Sequence, residues 1–327
     1  MHEPFMLAAL QQAWLGRGVT APNPAVGAVA VSDEKIIAQA SHPGMGQPHA
    51  EQLLLKELPD DCSEITLYVT LEPCNHWGRT PPCTQGIIAR GFKQVVYAYA
   101  DPNPLVSKND TTALLAEQGI DVVHYPLDEV DAFYASYAFW LQTGRPWVTL
   151  KIAQSFDGKI AGKHGQRVQL SNDLCSKNTH KERFYTDVIL TTARTIEQDN
   201  PLLNARINGR ITHKPIAVLD NKKQLSIEAN VHKTAKKIHM YCDQSLFDIL
   251  LDLGRLGYHD VWVEAGSQLF NALHKEKLVQ RTVLYLVPTS LGKDSLALYN
   301  YVDLFTDAKK IQWDVLDDNL KVTVDWI

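Results

Sequence analysis

Residues 70–83 read TLEPCNHWGRTPPC. The stretch holds two Pro-Cys pairs, ending in Cys74 and Cys83, with eight residues between the thiols. Upstream, residues 48–51 read PHAE. His49, Cys74 and Cys83 supply one imidazole and two thiolates, ligand types that zinc takes in a tetrahedron. Three protein ligands leave the fourth position to water, as catalytic rather than structural sites do. Zinc lowers the pKa of that water towards neutrality and makes it a nucleophile. Glu51 follows His49 by two residues. On a helix such neighbours face different ways, so its carboxylate need not bind the metal and is free to carry protons. A lone His-Ala-Glu means little, and a buried cysteine is usually inert packing. What gives the set its weight is the order of its pieces along the chain, with His49 expected at a helix start, Cys74 at a strand end and Cys83 at a second helix start.

The whole chain sets the context. At 327 residues it exceeds one small core, and two domains are the natural reading. The longest apolar runs are of strand length, so no segment is expected to span a membrane. The N-terminal MHEPFMLAALQQAW has no basic leader and no small-residue cleavage site, and it reads as an amphipathic helix rather than a signal peptide. Five cysteines (62, 74, 83, 175 and 242) are too few and too scattered for a disulfide framework, which fits a cytoplasmic protein. Cys62, Cys175 and Cys242 read as ordinary core or surface residues. A net charge of −5 without a dense basic run argues against a nucleic-acid partner.

The first half alternates helix and strand signals. Residues 4–15 have helical spacing, closed by Gly16 and Gly18. AVGAVAV (25–31) and KIIAQA (35–40) read as a hairpin, 49–58 as a helix, 65–71 as a strand and 83–91 as a short helix stopped by glycine. A buried strand over 94–100 ends in DPNP, followed by a helix at 110–118, a strand at 120–125 and a long helix at 127–142. TGRP (143–146) breaks the pattern and marks the boundary between domains 1–145 and 146–327. The second half restarts with a strand (147–155) and the turn FDGK. A helix (172–186) and strands at 188–192, 215–220, 237–242 and 261–266 follow. The last of these runs into a helix at 267–278, and strands at 282–288, 311–316 and 320–326 close the domain. Both halves are α/β.

A His-x-Glu followed by Pro-Cys and a second Cys, with the Glu not a ligand, is the grouping of zinc deaminases. That signature has two residues between its cysteines, whereas this chain has eight, and the insert NHWGRTPP carries His76 and Arg79. Arginine pairs bidentately with phosphate. With PNPAVG (22–27), HPGMGQPHAE (42–51), the opening stretch and DPNP (101–104), the sequence resembles the bacterial riboflavin-biosynthesis bifunctional deaminase/reductase family. That family acts on a phosphoribosylated diaminopyrimidine. The resemblance implies a cytidine-deaminase-like α/β/α first domain, in which Asn23, His42, His76, Arg79, Asp101 and Asn103 line the substrate pocket. Asn23 and Asn103 are also good turn residues beside proline.

Past residue 147 the resemblance is looser. LKIAQSFDGKIA (150–161) looks like the block opening the family's dihydrofolate-reductase-like reductase domain. HKERFYTDVIL (180–190), TIEQDNPLLNAR (195–206) and VEAGSQL (263–269) resemble later blocks. They imply substrate contacts at Arg183, Leu203, Arg206 and Glu264, and NADPH contacts at Ala153, Val168, Thr195, Asp199, Asn221 and Gly266. Gly266 would open a helix whose free N–H groups can cradle a pyrophosphate. Lys151, Asp199 and Glu264 are the polar candidates around the carbon to be reduced. Several positions depart from the family: Val168 stands where a tryptophan usually contacts the cofactor, Leu170 replaces a small polar residue, and Arg194 precedes the threonine in place of Gly or Ala. Asn221 and Gln224 replace a serine and an arginine.

The expectation is a cytoplasmic homo-oligomer, a dimer or tetramer, that requires Zn2+ and NADPH and handles a small phosphoribosylaminopyrimidine. Glu51 takes a proton from water and passes it to the ring and the leaving ammonia, and hydride from NADPH then opens the ribose to ribityl. Three other readings compete: a deaminase with a degenerate second domain, a nucleic-acid base deaminase, and a non-enzymatic binder on a deaminase scaffold. The acidic balance and the long insert oppose the nucleic-acid reading. The complete ligand set with Glu51 opposes the binder, which needs no proton shuttle.

Overall fold

The computed structural model describes residues 2–77, 81–108, 110–298 and 306–327, in two compact units, Met1–Gly144 and Arg145–Ile327. In the first unit, α1 (Glu3–Gly16) carries Pro4 in its first turn, where a missing N–H removes no helical bond. The hairpin of β1 (Gly27–Ser32) and β2 (Lys35–Ser41) turns at Asp33 and Glu34, both at positive φ (47° and 58°). Such angles match the right-handed twist of the strands. α2 (Ala50–Leu54), β3 (Thr66–Leu71), α3 (Cys83–Arg90) and β4 (Gln94–Tyr99) follow. α4 (Pro104–Ser107), α5 (Thr111–Ala116), β5 (Asp121–His124) and α6 (Asp128–Thr143) complete the unit. The sheet order is β2-β1-β3-β4-β5, with β3, β4 and β5 parallel. β3 and β4 are buried almost throughout because helices cover both faces. Met6, Leu10, Phe133 and Tyr134 from α1 and α6 pack on one face, and Leu54, Ile87 and Leu115 from α2, α3 and α5 on the other. This is the α/β/α layering implied by the resemblance. α2 stops at Leu54, four residues short of the expected 49–58 helix, and Leu55–Leu58 form a turn before Pro59.

The second unit contains β6 (Trp147–Ser155), β7 (Lys159–Lys163), α7 (Asp173–Tyr185), β8 (Val188–Thr192) and α8 (Ala193–Asp199). Then come β9 (Ala205–Ile207), β10 (Arg210–Thr212), β11 (Pro215–Leu219), α9 (Val231–Thr234) and β12 (Lys237–Tyr241). α10 (Leu246–Arg255), β13 (Asp260–Glu264), α11 (Ser267–Lys275) and β14 (Arg281–Val287) precede β15 (Ser295–Ala297), β16 (Lys310–Leu316) and β17 (Asn319–Asp325). The main sheet runs β12-β11-β8-β13-β6-β14-β17-β16. Its first six strands are parallel, β17 pairs antiparallel with β14, and β16 pairs antiparallel with β17. Period-two alternation splits the apolar residues between faces. Val188, Leu190, Val261 and Val263 join Leu250, Leu253 and Phe270, while Ile189 and Trp262 join Cys175 and Ile196. The sequence pattern alone did not reveal α10, β7, β15 or the β9–β10 hairpin.

One glycine fixes how closely α1 lies on the first sheet. A Cβ at Gly27 would sit 2.0 Å from the Ala9 carbonyl oxygen and 2.5 Å from the Ala13 nitrogen. Both are backbone atoms, so only movement of the whole helix relieves the clash. Gly27→Ala should destabilise the first unit by about 3 kcal/mol or more. Gly266→Ala, whose Cβ meets nothing within 4 Å at an ordinary negative φ, should leave stability within about 0.5 kcal/mol. Urea unfolding of both variants checks this.

Candidate active sites of the two units

Because β3 and β4 are parallel neighbours, their carboxyl ends lie together, the usual site of a ligand crevice in an open α/β sheet. The chain leaving β3 supplies Glu72, Cys74 and His76, and the chain leaving β4 supplies Asp101 and Asn103. Asn23, His42, His49 and Glu51 close the remaining walls of a cavity of about 440 Å³, together with Met45, Gln47 and Tyr137. The structure thus brings together the substrate-pocket residues expected from the sequence except Arg79, which lies outside the described residues.

His49 immediately precedes α2, and Cys83 is the first residue of α3. His49 Nδ1 is 3.3 Å from Cys83 Sγ and 3.6 Å from Cys74 Sγ, and all three donor atoms lie within 4.8 Å of one another. Tetrahedral zinc with ordinary Zn–N and Zn–S bonds has N···S edges of roughly 3.6 Å, so the donor set already has the spacing zinc needs. The two thiols share a proton. Donation from the Cys83 thiol, more than any other cause, brings Cys74 down to about 4, with His49 and the Cys83 backbone N–H helping against burial. Cys83, holding the proton and buried, is pushed well above its ordinary value. Metal binding would release that proton.

Glu51 stands outside the donor cluster. Burial, reinforced by the neighbouring Cys74 thiolate, raises its pKa, so it can accept and return a proton. His42 Nδ1 is 3.1 Å from the Pro48 carbonyl, and only N–H donation makes that contact a bond. Nε2 is then the acceptor for Asn23 Nδ2 at 3.1 Å. The Asn23 carbonyl oxygen is left for the pocket. Burial lowers the His42 pKa and keeps this ring neutral. His76 Nδ1 is buried with no partner among the described residues, as expected of a group that waits for a ligand. Asn103 caps α4 through the Leu105 N–H, so its turn role is real. Sequence reasoning missed Glu72 and Tyr137. Glu72 sits within the TLEPC motif and could have been suspected, whereas Tyr137 has the pattern of any apolar helix-face residue.

In the second unit Glu264 ends β13 opposite Lys151 on β6. Arg183 from α7 grips Glu264 with two bonds, Nε–Oε1 at 2.5 Å and NH2–Oε2 at 2.8 Å, and also donates to the Asn204 carbonyl at 3.1 Å. Trp262 Nε1 adds a third bond to Glu264 at 2.8 Å. Burial alone would raise Glu264, but the Arg183 guanidinium overrides it and holds the carboxyl at about 2. Burial lowers the Lys151 pKa, and Glu264 opposes that shift. Leu203 is buried at φ 46°, an uncommon conformation for leucine, in the loop that carries Asn204 and leads into β9, where Arg206 lies. Arg206 is exposed and bonded to Asn204.

Thr192 caps α8 through the Thr195 N–H, and Asp199 at the helix end pairs with Arg167 at 3.7 Å. Ala153 and Val168 are half-buried and Asn221 is exposed, its side-chain Oδ1 accepting the Asp243 N–H. Gly266 caps α11 with no side-chain bond and open space where a Cβ would stand. A pyrophosphate fits such an uncapped helix start, so the donor chemistry suits a dinucleotide.

Known proteins resemble both units. Residues 146–312 match the RibD C-terminal domain, and residues 1–99 match the cytidine and deoxycytidylate deaminase zinc-binding region. The riboflavin biosynthesis protein RibD of Haemophilus influenzae is 30% identical, over 98% of this chain and 96% of its own length. That of Aquifex aeolicus is 32% identical over 88% and 87%. Among solved structures, Acinetobacter baumannii RibD aligns with a TM-score of 0.89 at 29% identity over 98% of both chains. A diaminohydroxyphosphoribosylaminopyrimidine deaminase/5-amino-6-(5-phosphoribosylamino)uracil reductase from Thermotoga maritima aligns at 0.87 and 31% identity, over 99% and 98%.

The donor geometry makes Cys83 testable. Cys83→Ser should lose most of the zinc that the wild type binds at one ion per chain, as read by metal analysis. Full retention would remove Cys83 from the ligand set. Acid tests the other unit. Glu264 has a folded pKa below its unfolded one, so its stabilising contribution is present above about pH 4.5 and is lost as pH falls towards 2. That contribution is on the order of 3 kcal/mol. Glu264→Gln should destabilise the second unit by about 3–5 kcal/mol at neutral pH, because it strands a buried Arg183. It should also flatten the acid limb of stability against pH, which denaturant melts from about pH 2 to 7 would read.

Proposed function

This chain belongs to the RibD family of riboflavin biosynthesis proteins, and we propose that its first unit deaminates a diaminopyrimidine carrying a phosphoribosylamino group, after which its second unit reduces the deaminated product. It is a zinc-dependent deaminase and an NADPH-dependent reductase of riboflavin biosynthesis. The observation that carries the substrate proposal is the convergence of His49, Cys74 and Cys83 with a buried, non-ligating Glu51 in one cavity.

In the first unit His49, Cys74 and Cys83 would hold the zinc. Zinc, when bound, supplies Lewis-acid activation of water at neutral pH. Glu51 takes one proton of the attacking water and gives it to the ring nitrogen, then moves the second, from the hydroxyl of the adduct, to the amino group, which leaves as ammonia as the C–N bond breaks and the carbonyl forms. Asn23 offers an acceptor and Asp101 a carboxylate to the pyrimidine edge, with His42, His76 and Asn103 completing the walls. Arg79 is the candidate for the substrate phosphate.

In the second unit Gly266, Thr195, Asp199, Ala153, Val168 and Asn221 form the cofactor face, and NADPH, when bound, supplies the hydride that reaches C1′. Arg183, Leu203, Arg206 and Glu264 face the substrate. With Glu264 held ionised by Arg183, it has no proton to give near neutral pH. Lys151, buried beside it with a lowered pKa, is the better placed proton carrier. We place the enzyme in the cytoplasm as a homo-oligomer, on its scattered free cysteines and family membership. The net charge of −5 supports a small-molecule rather than a nucleic-acid substrate. Among the described residues no helix is long and apolar enough to cross a membrane.

The test is to feed the purified protein the phosphoribosyl-diaminopyrimidine, with and without NADPH, and identify the products by mass. Deamination should proceed without NADPH and reduction only with it. Glu51→Gln should fold and keep zinc, yet deaminate about 10²–10⁴-fold more slowly. It should still reduce substrate supplied already deaminated. Loss of zinc in this variant would instead make Glu51 a ligand.

A further inference from the structure

Tyr137 lies on α6, outside residues 1–99 that match the deaminase zinc-binding region, yet it lines the pocket. Its hydroxyl donates to Asp101 Oδ1 at 3.3 Å, the same oxygen that accepts the Asn103 N–H at 2.9 Å. Among the described residues no bond ends on Oδ2. Asp101 is only 7% exposed and also faces the pocket. With Oδ1 taken twice, Oδ2 is the oxygen left for a ligand. Carboxylate torsions are broad and roughly two-fold, so an unpinned Asp101 could turn either oxygen, or the carboxyl face, towards the cavity.

We propose that Tyr137 is a positioning residue for deamination: it pins Asp101 Oδ1 so that Oδ2 accepts an N–H from the aminopyrimidine. The proposal rests on the deaminase reading above.

A buried tyrosine hydroxyl usually finds some partner, and Tyr134 shows what a purely architectural solution looks like. It sits one turn earlier on the same helix face. Its hydroxyl bonds the Ala25 carbonyl at 2.9 Å and Thr70 Oγ1 at 2.7 Å, and Thr70 in turn accepts the Gly27 N–H at 3.2 Å. Those partners tie α6 to the start of β1. Tyr137 instead ends on a buried carboxylate in the pocket wall, where a bond to a charged acceptor is strong. The groups facing Asp101 are Glu72, whose Oε2 accepts the Asp101 N–H at 3.2 Å, Cys74, Tyr99 from β4, and Tyr134 and Tyr137 from α6. Among the described residues none of these is a cation, so hydrogen bonds rather than an ion pair among them orient the carboxylate. Burial lifts Asp101 to about 6, with the Asn103 and Tyr137 bonds pulling the other way.

The experiment compares zinc-loaded, full-length wild type with Tyr137→Phe. Zinc content should be unchanged, KM for deamination should rise about tenfold and kcat should stay within about threefold. The lost bond favoured the carboxylate, so the acid limb of 1/KM should move up by about one pH unit. A KM and pH profile superimposed on the wild type, whatever happens to the melting temperature, would overturn the proposal. Asp101→Asn covers a Tyr137→Phe that fails to fold. It can keep an oxygen for Tyr137 while presenting an amide donor in place of Oδ2, so its KM should rise by a similar factor, and an unchanged KM would again overturn the role. Carbon-13 titration of Asp101 in wild type and Tyr137→Phe needs no substrate. An enzyme unable to deaminate the aminopyrimidine would refute the substrate reading, while an unmoved Asp101 titration would refute the positioning role separately.

Discussion

The parallel pairing of β3 with β4 is the constraint on which the first site depends. It places two carboxyl ends side by side, so the chains leaving them must diverge around a crevice. One leads through Cys74 towards α3 and the other through Asp101 and Asn103 to α4. β1 runs antiparallel to β3, so the residues entering β1, with Asn23 among them, arrive at the same edge. α2 then needs only to start there for His49 and Glu51 to complete the ring. Helix starts carry partial positive charge and free N–H groups. Placing Cys83 at one of them sets its own N–H 3.2 Å from the Cys74 sulfur, which favours the Cys74 thiolate where a divalent cation is to be held.

The second unit repeats the device. β13 and β6 are parallel neighbours, and their register sets Glu264 directly opposite Lys151. Thr192, at the end of β8 in the same sheet, caps α8, and Gly266 begins α11 just beyond β13. Glu264 and Thr192 thus sit at strand ends, whereas Lys151 comes from the middle of β6, a polar residue in an otherwise largely apolar sheet. The buried Arg183–Glu264 pair costs desolvation that its two bonds and the Trp262 contact offset. Such a pair is weak as a stability device and makes more sense as a way to keep a carboxylate ionised at a chosen place.

Much of this was legible in the sequence because each piece had a local signature. Zinc-ligand types in the right order, apolar runs of strand length and glycine stops marked most of the first unit. Elsewhere the signal is weak or non-local. α10 has Ser245 as its cap and Ile249, Leu250 and Leu253 on one face, a ten-residue helix whose signature stands out only beside the strands it covers. The short β9–β10 hairpin has three residues per strand, too few for a period to show. Tyr137 is invisible locally, since its bond to Asp101 joins residues 36 apart and nothing in α6 distinguishes it from Phe133 or Tyr134. The pairing of Arg183 with Glu264 spans 81 residues. Resemblance put both residues at the substrate but said nothing of their mutual grip.

Glu51 and Glu264 show how little the residue type alone decides. Both carboxylates are buried, and burial by itself disfavours charge in each. Glu51 faces the Cys74 thiolate, whose negative charge adds to the effect of burial and lifts the carboxyl towards a range useful for proton transfer. Glu264 faces a guanidinium and a lysine, which reverse the effect of burial and fix it as an anion. Glu51 is thus suited to move a proton, and Glu264 to hold a charge and orient what binds beside it. Each neighbour is delivered by a strand end or helix far away in sequence, so the division of labour between two chemically identical side chains is a property of the topology.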